Sequence, residues 1–365
     1  MNAVAVPVVR QGRVIAQRLF DVAYAIDLGR ARQLCADLPV ADTPPGPLSF
    51  GTPPLRLRLP PIGLRIGGKP MAGDVSVHLY DFGAIAIAIT FVVEELAWGA
   101  YAEFSRQVED VVAANAAAAP WTMLLESLRA RIASALERPG ATVIQEDYQL
   151  MVVDAFREPP GDALHGALDL VPLLAAEPRP LSQDAREALL RHRFAHLAGD
   201  CVVVTRDRAF LYQPDGDAGV AAVLEVANAQ LLELRYYDAL LDAELPRMYA
   251  LVARTRAVSP LSAPGKLSRL ARRLYTLVAE VTELTGRVDN ALQVNGHPYL
   301  ARVYTTTLES FGVPALRAAV DRKLAIIRDT YAALYDEAAV SRAGVLELTI
   351  IALIGVELFM AMFRR

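Results

Sequence analysis

Alternation of large apolar and small residues marks the clearest strand in the chain. The large residues are Ile85, Ile87, Ile89 and Phe91, and the small ones between them are Ala84, Ala86, Ala88 and Thr90. A period of two is typical of a β-strand whose two faces meet different surroundings. The twelve residues from Phe82 to Val93 are also too few to cross a bilayer as a helix. The pattern therefore predicts a sheet strand.

Strand-like and helix-like patterns alternate over the rest of the first half. "FDVAYAIDLGRARQLCADL" predicts a strand that runs into a helix near Asp27, and "ATVIQEDYQLMVVDAF" returns to alternating apolar residues. Helical patterns lie between Glu94 and about Glu137, with a break at Pro120, and again in "LSQDAREALLRHRFA". "GDCVVVTRDRAFLYQPDGD" predicts a hairpin that turns at Arg206–Asp207. Residues 1–215 therefore predict an α+β domain.

From Gly219 onward the strand patterns end and three helical runs follow, separated by "SPLSAPG" and "NGHP". The second run spaces its apolar residues by three and four: Leu267, Leu270, Leu274, Leu277, Val281, Leu284 and Val288. The third run, over about 314–342, repeats this spacing, which is typical of helices that pack at shallow angles. Residues 216–342 therefore predict an all-α, antiparallel array of helical hairpins that resembles a coiled coil.

The apolar stretch 343–363 predicts a single transmembrane helix, followed by a basic tail at 364–365. Its 21 residues would span about 31 Å as a helix, which matches a hydrocarbon core. The residues that define this membrane segment are Glu347, Gly355, Glu357, Arg364 and Arg365. Glu347 can reach the interface, whereas Glu357 is only partly shielded, and either a neutral form or a partner helix would favour its insertion. The alternative is a helix hidden in a large core, which we do not expect, because the stretch is apolar on every face and no later segment of the given sequence would cover it.

Composition excludes several classes of protein. The chain is 54% apolar and 21% charged with a net charge of −4, whereas a general nucleic-acid binder is normally basic. The cysteines, Cys35 and Cys201, are far apart and fit a reducing compartment rather than a disulfide framework. The first twenty residues have no charged region ahead of an apolar run, so we do not expect them to be a secretory signal. Its arginines also allow a mitochondrial transit peptide, although "RVIAQRLFDVAYAID" is more typical of a folded strand.

Motifs for chemistry are incomplete. "YDFG" lacks the other kinase motifs, and "GLRIGGKPMAG" has Pro70 where a phosphate loop needs Ser or Thr. His192 and His196 are four residues apart on a predicted helix, a spacing that lets two imidazoles face one metal, with Cys201 nearby. Surface or packing roles are commoner for such a pair. The sequence therefore predicts no catalytic residue, no metal site and no cofactor.

Two patterns resemble a known family. The second half of the chain is similar to the C-terminus of the meiotic-nuclear-division family in "RVDNALQVNG" and in the stretch from "RKLAIIRDTYAALYDEAAVSRAG" to "VLELTIIALIGVELFMAMF". The first half is similar to the N-terminal half of that family in "AYAIDLG" and "YDFGAIAIAI". Glu347 and Glu357 match the spacing of two acids in that family, while Thr349 and the Pro-rich insert depart from it. The resemblance implies a membrane-anchored, non-enzymatic protein, with mitochondrial members supporting translation at the inner membrane.

A run of basic residues without acids lies between Leu251 and Ala279. Its members are Arg254, Arg256, Lys266, Arg269, Arg272 and Arg273. If helices over about 265–292 and 314–342 pair in an antiparallel manner, residue 265 aligns with residue 342 and the basic turn meets the membrane surface. Each cation near an anionic leaflet contributes about 1 kcal/mol. The run is therefore predicted as an anionic-lipid contact, with a solvated helix start as the alternative.

We expect from these patterns a non-enzymatic, membrane-tethered scaffold or adaptor that holds a partner, such as translation machinery, at the membrane. The expected partners are membrane lipid, a second copy in a homo-oligomer, and a protein or ribosomal partner, with no sequence-specific nucleic acid. The bulk of the chain is expected in the cytoplasm, at the inner membrane of a bacterium rather than of a mitochondrion. The alternatives are a metal-dependent enzyme using the α+β domain and a lipid- or stress-sensing accessory subunit.

Overall fold

The computed structural model describes residues 6–40, 49–113, 118–158, 168–175, 179–214, 219–256, 263–289, 292–293 and 297–363. The chain forms two compact units. The first, which we call the sheet unit, comprises Met1–Glu233 and Arg287–Pro314. The second, the helical unit, comprises Leu234–Gly286 and Ala315–Arg365. The domain boundaries expected at 215, 342 and 363 stay predictions.

A mixed sheet of eight strands dominates the sheet unit. The described strands are β1 Val8–Ile26, β2 Ser49–Phe50, β3 Leu55–Ile66, β4 Lys69–Leu79, β5 Ala84–Ala97, β6 Leu136–Phe156, β7 Arg193–Phe194, β8 Cys201–Val204, β9 Arg208–Tyr212 and β10 Leu292–Gln293. The order in the large sheet is β3-β4-β5-β1-β6-β9-β8-β7, and β2 pairs separately with β10. β6 and β9 are parallel, and the other described strand pairs are antiparallel.

Nine α-helices are described. They are α1 Leu28–Leu34, α2 Trp98–Val112, α3 Ala118–Arg131, α4 Val171–Leu174, α5 Gln183–Leu189, α6 Val220–Arg256, α7 Ala263–Asp289, α8 Pro298–Ser310 and α9 Val313–Phe363. Local sequence explains two of the starts. The side chains of Asp27 and Ser182 accept hydrogen bonds from Arg30 N and Ala185 N, which caps the first turns of α1 and α5.

Strand β1 lies at the centre of the sheet, paired with β5 on one side and β6 on the other. From Val14 to Phe20 its even-numbered apolar residues, such as Val14 and Phe20, belong to the main apolar core, which also contains residues of α2 and α3 such as Trp98 and Trp121. The odd-numbered residues of this stretch point to the opposite face because side chains alternate along a strand. The first turns of α6 pack on that opposite face, where Gln17 of β1 contacts Glu225.

Several predicted elements are confirmed. β5 contains the alternating Ile and Ala residues, β6 contains "QEDYQLMVVDAF", and β8 and β9 form the predicted hairpin. β1 leads into α1 at Asp27 as expected. The helical stretch predicted between Glu94 and Glu137 is shorter, because β5 continues to Ala97 and α2 and α3 occupy 98–112 and 118–131.

The predicted transmembrane helix over 343–363 is wrong. Over the residues that the structure describes, no helix has both the length and the apolar character needed to cross a membrane. The stretch is instead the last part of α9, a helix of 51 residues that continues without a break from Val313. Glu347, Gly355 and Glu357 lie within α9, and Arg364 and Arg365 lie outside the described residues.

The fold class of a separate all-α, coiled-coil-like array is also wrong. A coiled coil buries one narrow stripe of each helix. The first turns of α6 are instead buried at nearly every position from Val220 to Glu233, including polar residues such as Asn228 and Gln230. This part of α6 belongs to the sheet unit, together with α8. The chain is therefore a mixed sheet-and-helix protein.

Candidate functional site

The last described turns of α9 expose a concentration of large apolar side chains. We call residues 350–360 the apolar helix end, and its exposed side chains are Ile350, Ile351, Leu353, Ile354, Val356 and Met360. Each of them is between 51% and 65% exposed. A contiguous apolar surface of this kind is uncommon on a protein without a partner, whereas scattered exposed apolar residues are normal. The apolar helix end is therefore a candidate interaction site.

The earlier half of α9 is packed within the helical unit. Val320, Ile327 and Leu334 are buried, and Nζ of Lys323 lies 2.7 Å from carboxylate oxygens of both Asp238 and Asp242 on α6. The portions of α6 and α7 in this unit are 234–256 and 263–286, each about 35 Å long at 1.5 Å per residue. They can accompany only about half of α9, which explains why its end is exposed.

The predicted lipid-contact residues lie at two helix ends in the helical unit. Arg254 and Arg256 are in the last turn of α6. The first turns of α7 contain Lys266, Arg269, Arg272 and Arg273, and residues 257–262, where the sequence predicted a turn, lie outside the described residues. Arg273 Nη2 lies 3.3 Å from a carboxylate oxygen of Glu244, so at least one of these cations has a partner within the chain. The lipid contact stays a prediction.

His192 and His196 do not share a helix as predicted. α5 ends at Leu189, and the two-residue strand β7 lies between the histidines. The His196 ring instead stacks on Tyr299, with ring centroids 4.9 Å apart, and lies 5.0 Å from the His297 ring. Among the described side chains no group of three or more His, Cys, Asp or Glu could hold a metal ion. The helical spacing expected of these two histidines is therefore wrong, and the metal-dependent alternative stays a prediction.

A buried polar cluster that the sequence reasoning missed lies between α6 and the sheet. We call it the Glu225 cluster. Oε1 of Glu225 lies 2.6 Å from His78 Nδ1 and accepts a hydrogen bond of 2.5 Å from the Tyr80 hydroxyl. Oε2 accepts a hydrogen bond of 2.6 Å from Gln17 Nε2. Two strands and one helix therefore meet at a single carboxylate, which joins α6 to β1 and β4.

Strand register explains the composition of this cluster. His78 is directly opposite Ala86 of β5, and Ala86 is opposite Leu19 of β1. Residues directly opposite each other lie on the same face, so His78 shares a face with the odd-numbered residues of β1, including Gln17. The small alanines of β5 leave space on this face for the polar side chains. The alternation that predicted β5 was the available signal, but it did not reveal the helix that would cover this face.

The electrostatics of the cluster favour a structural carboxylate. Burial alone would raise the pKa of Glu225, but His78, the Tyr80 hydroxyl and the Arg56 guanidinium together hold that pKa below its usual value. A carboxylate that accepts several hydrogen bonds is a weak base, so Glu225 is poorly suited to abstract a proton. On the same strand as Gln17, burial raises the pKa of Asp21 to about 7. The pKa values of these two acids are therefore shifted in opposite directions.

The described residues of the sheet unit also line a small cavity. A cavity of about 70 Å³ lies on the same face of β1, lined by residues that include Arg13, Asp154, Gln213 and Ala221. Arg13 Nη2 and Asp154 Oδ1 form an ion pair of 2.8 Å in it, and Gln213 Nε2 is buried without a hydrogen-bond partner. A polar cavity of this size suits a few water molecules.

Comparison with known proteins gives one family and one relative. The profile of the family described as "Uncharacterized protein MJ0711, N-terminal domain" matches residues 11–218. The chain is 23% identical over 240 residues to "Uncharacterized protein MJ0711" of Methanocaldococcus jannaschii, and the alignment covers 66% of this chain and 73% of that protein. No solved structure matches. Neither match concerns the meiotic-nuclear-division family, so that resemblance stays a prediction.

Proposed function

We propose that this chain, which belongs to the MJ0711 N-terminal domain family, is a non-enzymatic scaffold that binds a protein through the apolar helix end of α9. The observation that carries the proposal is the exposure of six large aliphatic side chains within residues 350–360. Covering one half-exposed aliphatic side chain contributes about 1 kcal/mol. Together the six supply enough free energy to support specific binding. The membrane tether is not part of this proposal.

The division of the chain also supports a scaffold. The sheet unit contains its own apolar core, so its fold does not depend on the apolar helix end. The helical unit provides a long helix whose end is free of packing at the six exposed positions. The buried charges of the sheet unit serve its structure: Arg18 pairs with Asp147, donates to the Val112 carbonyl and lies over the Trp121 ring.

Site-specific photo-crosslinking tests the proposal. A benzophenone amino acid replaces Ile354 in the full chain, expressed in its native host, and the products are identified by mass spectrometry. We expect discrete protein adducts, because a bound partner covers this position. Met123 on α3 is the matched control, since it is also an exposed apolar residue of a helix but lies in the sheet unit, and it should give no such adduct. Lipid adducts alone, or none, at position 354 would contradict the proposal.

A further inference from the structure

Four polar side chains lie side by side on the two strands at one edge of the large sheet. Arg56 of β3 is directly opposite His78 of β4, and Arg58 is directly opposite Ser76. Opposite residues, and residues two apart on one strand, share a face of the sheet. The four side chains therefore belong to one group, which we call the β3–β4 cluster.

The β3–β4 cluster lies at the margin of the surface that α6 covers. His78 contacts Glu225 of α6, yet its side chain is 22% exposed. Arg56 and Ser76 are partly buried, and Arg58 is exposed. A solute can therefore reach the cluster from solvent, while α6 limits the space on its inner side.

The guanidinium of Arg56 lacks the partners that a partly buried cation normally has. Its Nε atom is buried without a hydrogen-bond partner among the described residues. The guanidinium lies close enough to Glu225 to lower the pKa of that carboxyl, but it forms no ion pair with a described residue. Buried donors are normally satisfied, and Arg56 is partly exposed, so an acceptor from outside the chain can complete its hydrogen bonding.

Glu225 fixes the orientation of the His78 ring. Its Oε1 lies 2.6 Å from Nδ1, so a proton lies between these two atoms and Nε2 is left for a second partner. A second proton on Nε2 converts the ring to an imidazolium, which the adjacent carboxylate stabilises. In that form His78 adds a charged donor next to the guanidinium of Arg56.

Two acids lie close to the β3–β4 cluster without cancelling its charge. Glu225 already pairs with His78 and accepts hydrogen bonds from Tyr80 and Gln17. Asp74 is on the same face of β4, but it is exposed and lies about 13 Å from His78 at roughly 3.3 Å per residue. With the imidazole protonated, three cations face these two carboxylates. The cluster therefore keeps a net positive charge, which favours an anion.

We propose that the β3–β4 cluster binds a phosphate group, either as the free anion or as part of a larger molecule. Two guanidinium groups, one imidazole and one hydroxyl supply more donors than a carboxylate can accept, whereas a phosphate group presents three or four oxygens. The planar fork of arginine also matches phosphate geometry. The site is independent of the scaffold proposal, because it lies in the sheet unit and not at the apolar helix end.

Titration of the full chain with inorganic phosphate tests the site by nuclear magnetic resonance. The protein is prepared with isotope-labelled histidine, and the ring signals of His78 are identified by their loss in His78→Gln. At constant pH and ionic strength, phosphate should shift these signals in a saturable manner, because an oxygen acceptor binds at Nε2. The other four of the five histidines are internal references. Sodium chloride in place of phosphate should cause no saturable shift.

Arginine variants test the residues. Arg56→Gln should weaken phosphate binding by about tenfold or more, because it removes a charged donor next to His78. Arg58→Gln should weaken it by about threefold, and this exposed residue can be replaced without disturbing the fold. Arg65→Gln is the matched control, since Arg65 is an exposed arginine of the same strand whose Nη2 donates to the Gly68 carbonyl. It removes the same charge but should change the affinity by less than about twofold.

A second arm identifies the source of the phosphate group. Sedimentation with vesicles that contain phosphatidic acid is compared with the titration of free phosphate, for the wild type and for the arginine variants. Binding of free phosphate supports a soluble ligand, and binding of the vesicles alone, weakened by Arg56→Gln and Arg58→Gln, supports a lipid headgroup. Binding in neither arm, or equal binding by the wild type, Arg56→Gln and Arg58→Gln, would overturn the phosphate site. Neither result affects the scaffold proposal, which is tested at position 354.

Discussion

Buried polar residues on the two faces of the sheet obtain their partners in different ways. On the core face, Arg18 pairs with Asp147, the residue directly opposite it on the neighbouring strand, and also donates to the Val112 carbonyl at the end of α2. On the other face, Gln17 and His78 need Glu225, which is more than 140 residues away in sequence. Local patterns predicted the strands that contain these side chains. The contact with α6 could not be predicted, because nothing near Gln17 or His78 in the sequence specifies which helix covers them.

Replacing Glu225 with Gln should destabilise the sheet unit by about 3 kcal/mol, because the buried donors around it lose the carboxylate. Glu126→Gln is the matched control, since Glu126 is an exposed residue of α3, and it should change the stability by less than about 0.5 kcal/mol. Urea unfolding at pH 7 measures both. Because the folded-state pKa of Glu225 is lowered, its contribution is present above its unfolded value and is lost as the pH falls through the folded value. Equal stabilities of the two variants at pH 7 would contradict the role of the cluster.

Asp21 should give the opposite pH dependence. Its folded-state pKa is raised to about 7, so the folded protein retains a proton that the unfolded chain releases above about 4. Stability is therefore lost as the pH rises from about 4 to 7. Asp21→Asn removes this titration, and its stability relative to the wild type should increase across that interval, as measured by thermal unfolding at several pH values. A constant difference between the two proteins would show that Asp21 titrates normally.

At the scale of elements, secondary structure was predictable where one local pattern decides it. β5 followed from its period of two, and the passage from β1 into α1 followed from the change of pattern near Asp27. The predicted helix after Ser182 ended early, because Arg193 and Phe194 pair with β8 as the edge strand β7. A two-residue strand has no periodicity of its own. Its existence depends on the neighbouring strand, which the sequence of the segment does not contain.

The turn between β4 and β5 depends on one glycine. Gly83 has φ +98°, and a Cβ atom there would lie 1.8 Å from the carbonyl oxygen of Ala23. Gly83→Ala should therefore cost more than about 2 kcal/mol, because both the backbone conformation and the close contact with β1 are disturbed. Gly99→Ala is the control, since a Cβ atom at this position of α2 meets nothing within 4 Å. Denaturant unfolding of both variants checks this difference, and equal midpoints would contradict it.

At the scale of the whole molecule, the sequence located the apolar stretch correctly but not its structural context. A window of 21 residues records composition, and on that basis 343–363 resembled an independent membrane helix. It could not show that the stretch continues a 51-residue helix whose first half is packed in the helical unit. The expected cellular location was based on a membrane helix that is not found among the described residues, and it stays a prediction. The same exposed side chains now support a contact between proteins.

The central position of β1 has a consequence for synthesis on the ribosome. Val9 of β1 pairs with Phe156 of β6, which is 147 positions later in the chain. At roughly 5–20 residues per second, β1 therefore waits about 7–30 s for this neighbour. During that interval one edge of a long apolar strand has no partner from its own sheet, and unpaired edges favour aggregation. We therefore expect the nascent chain to depend on chaperones that bind its first strand until residue 156 has left the exit tunnel.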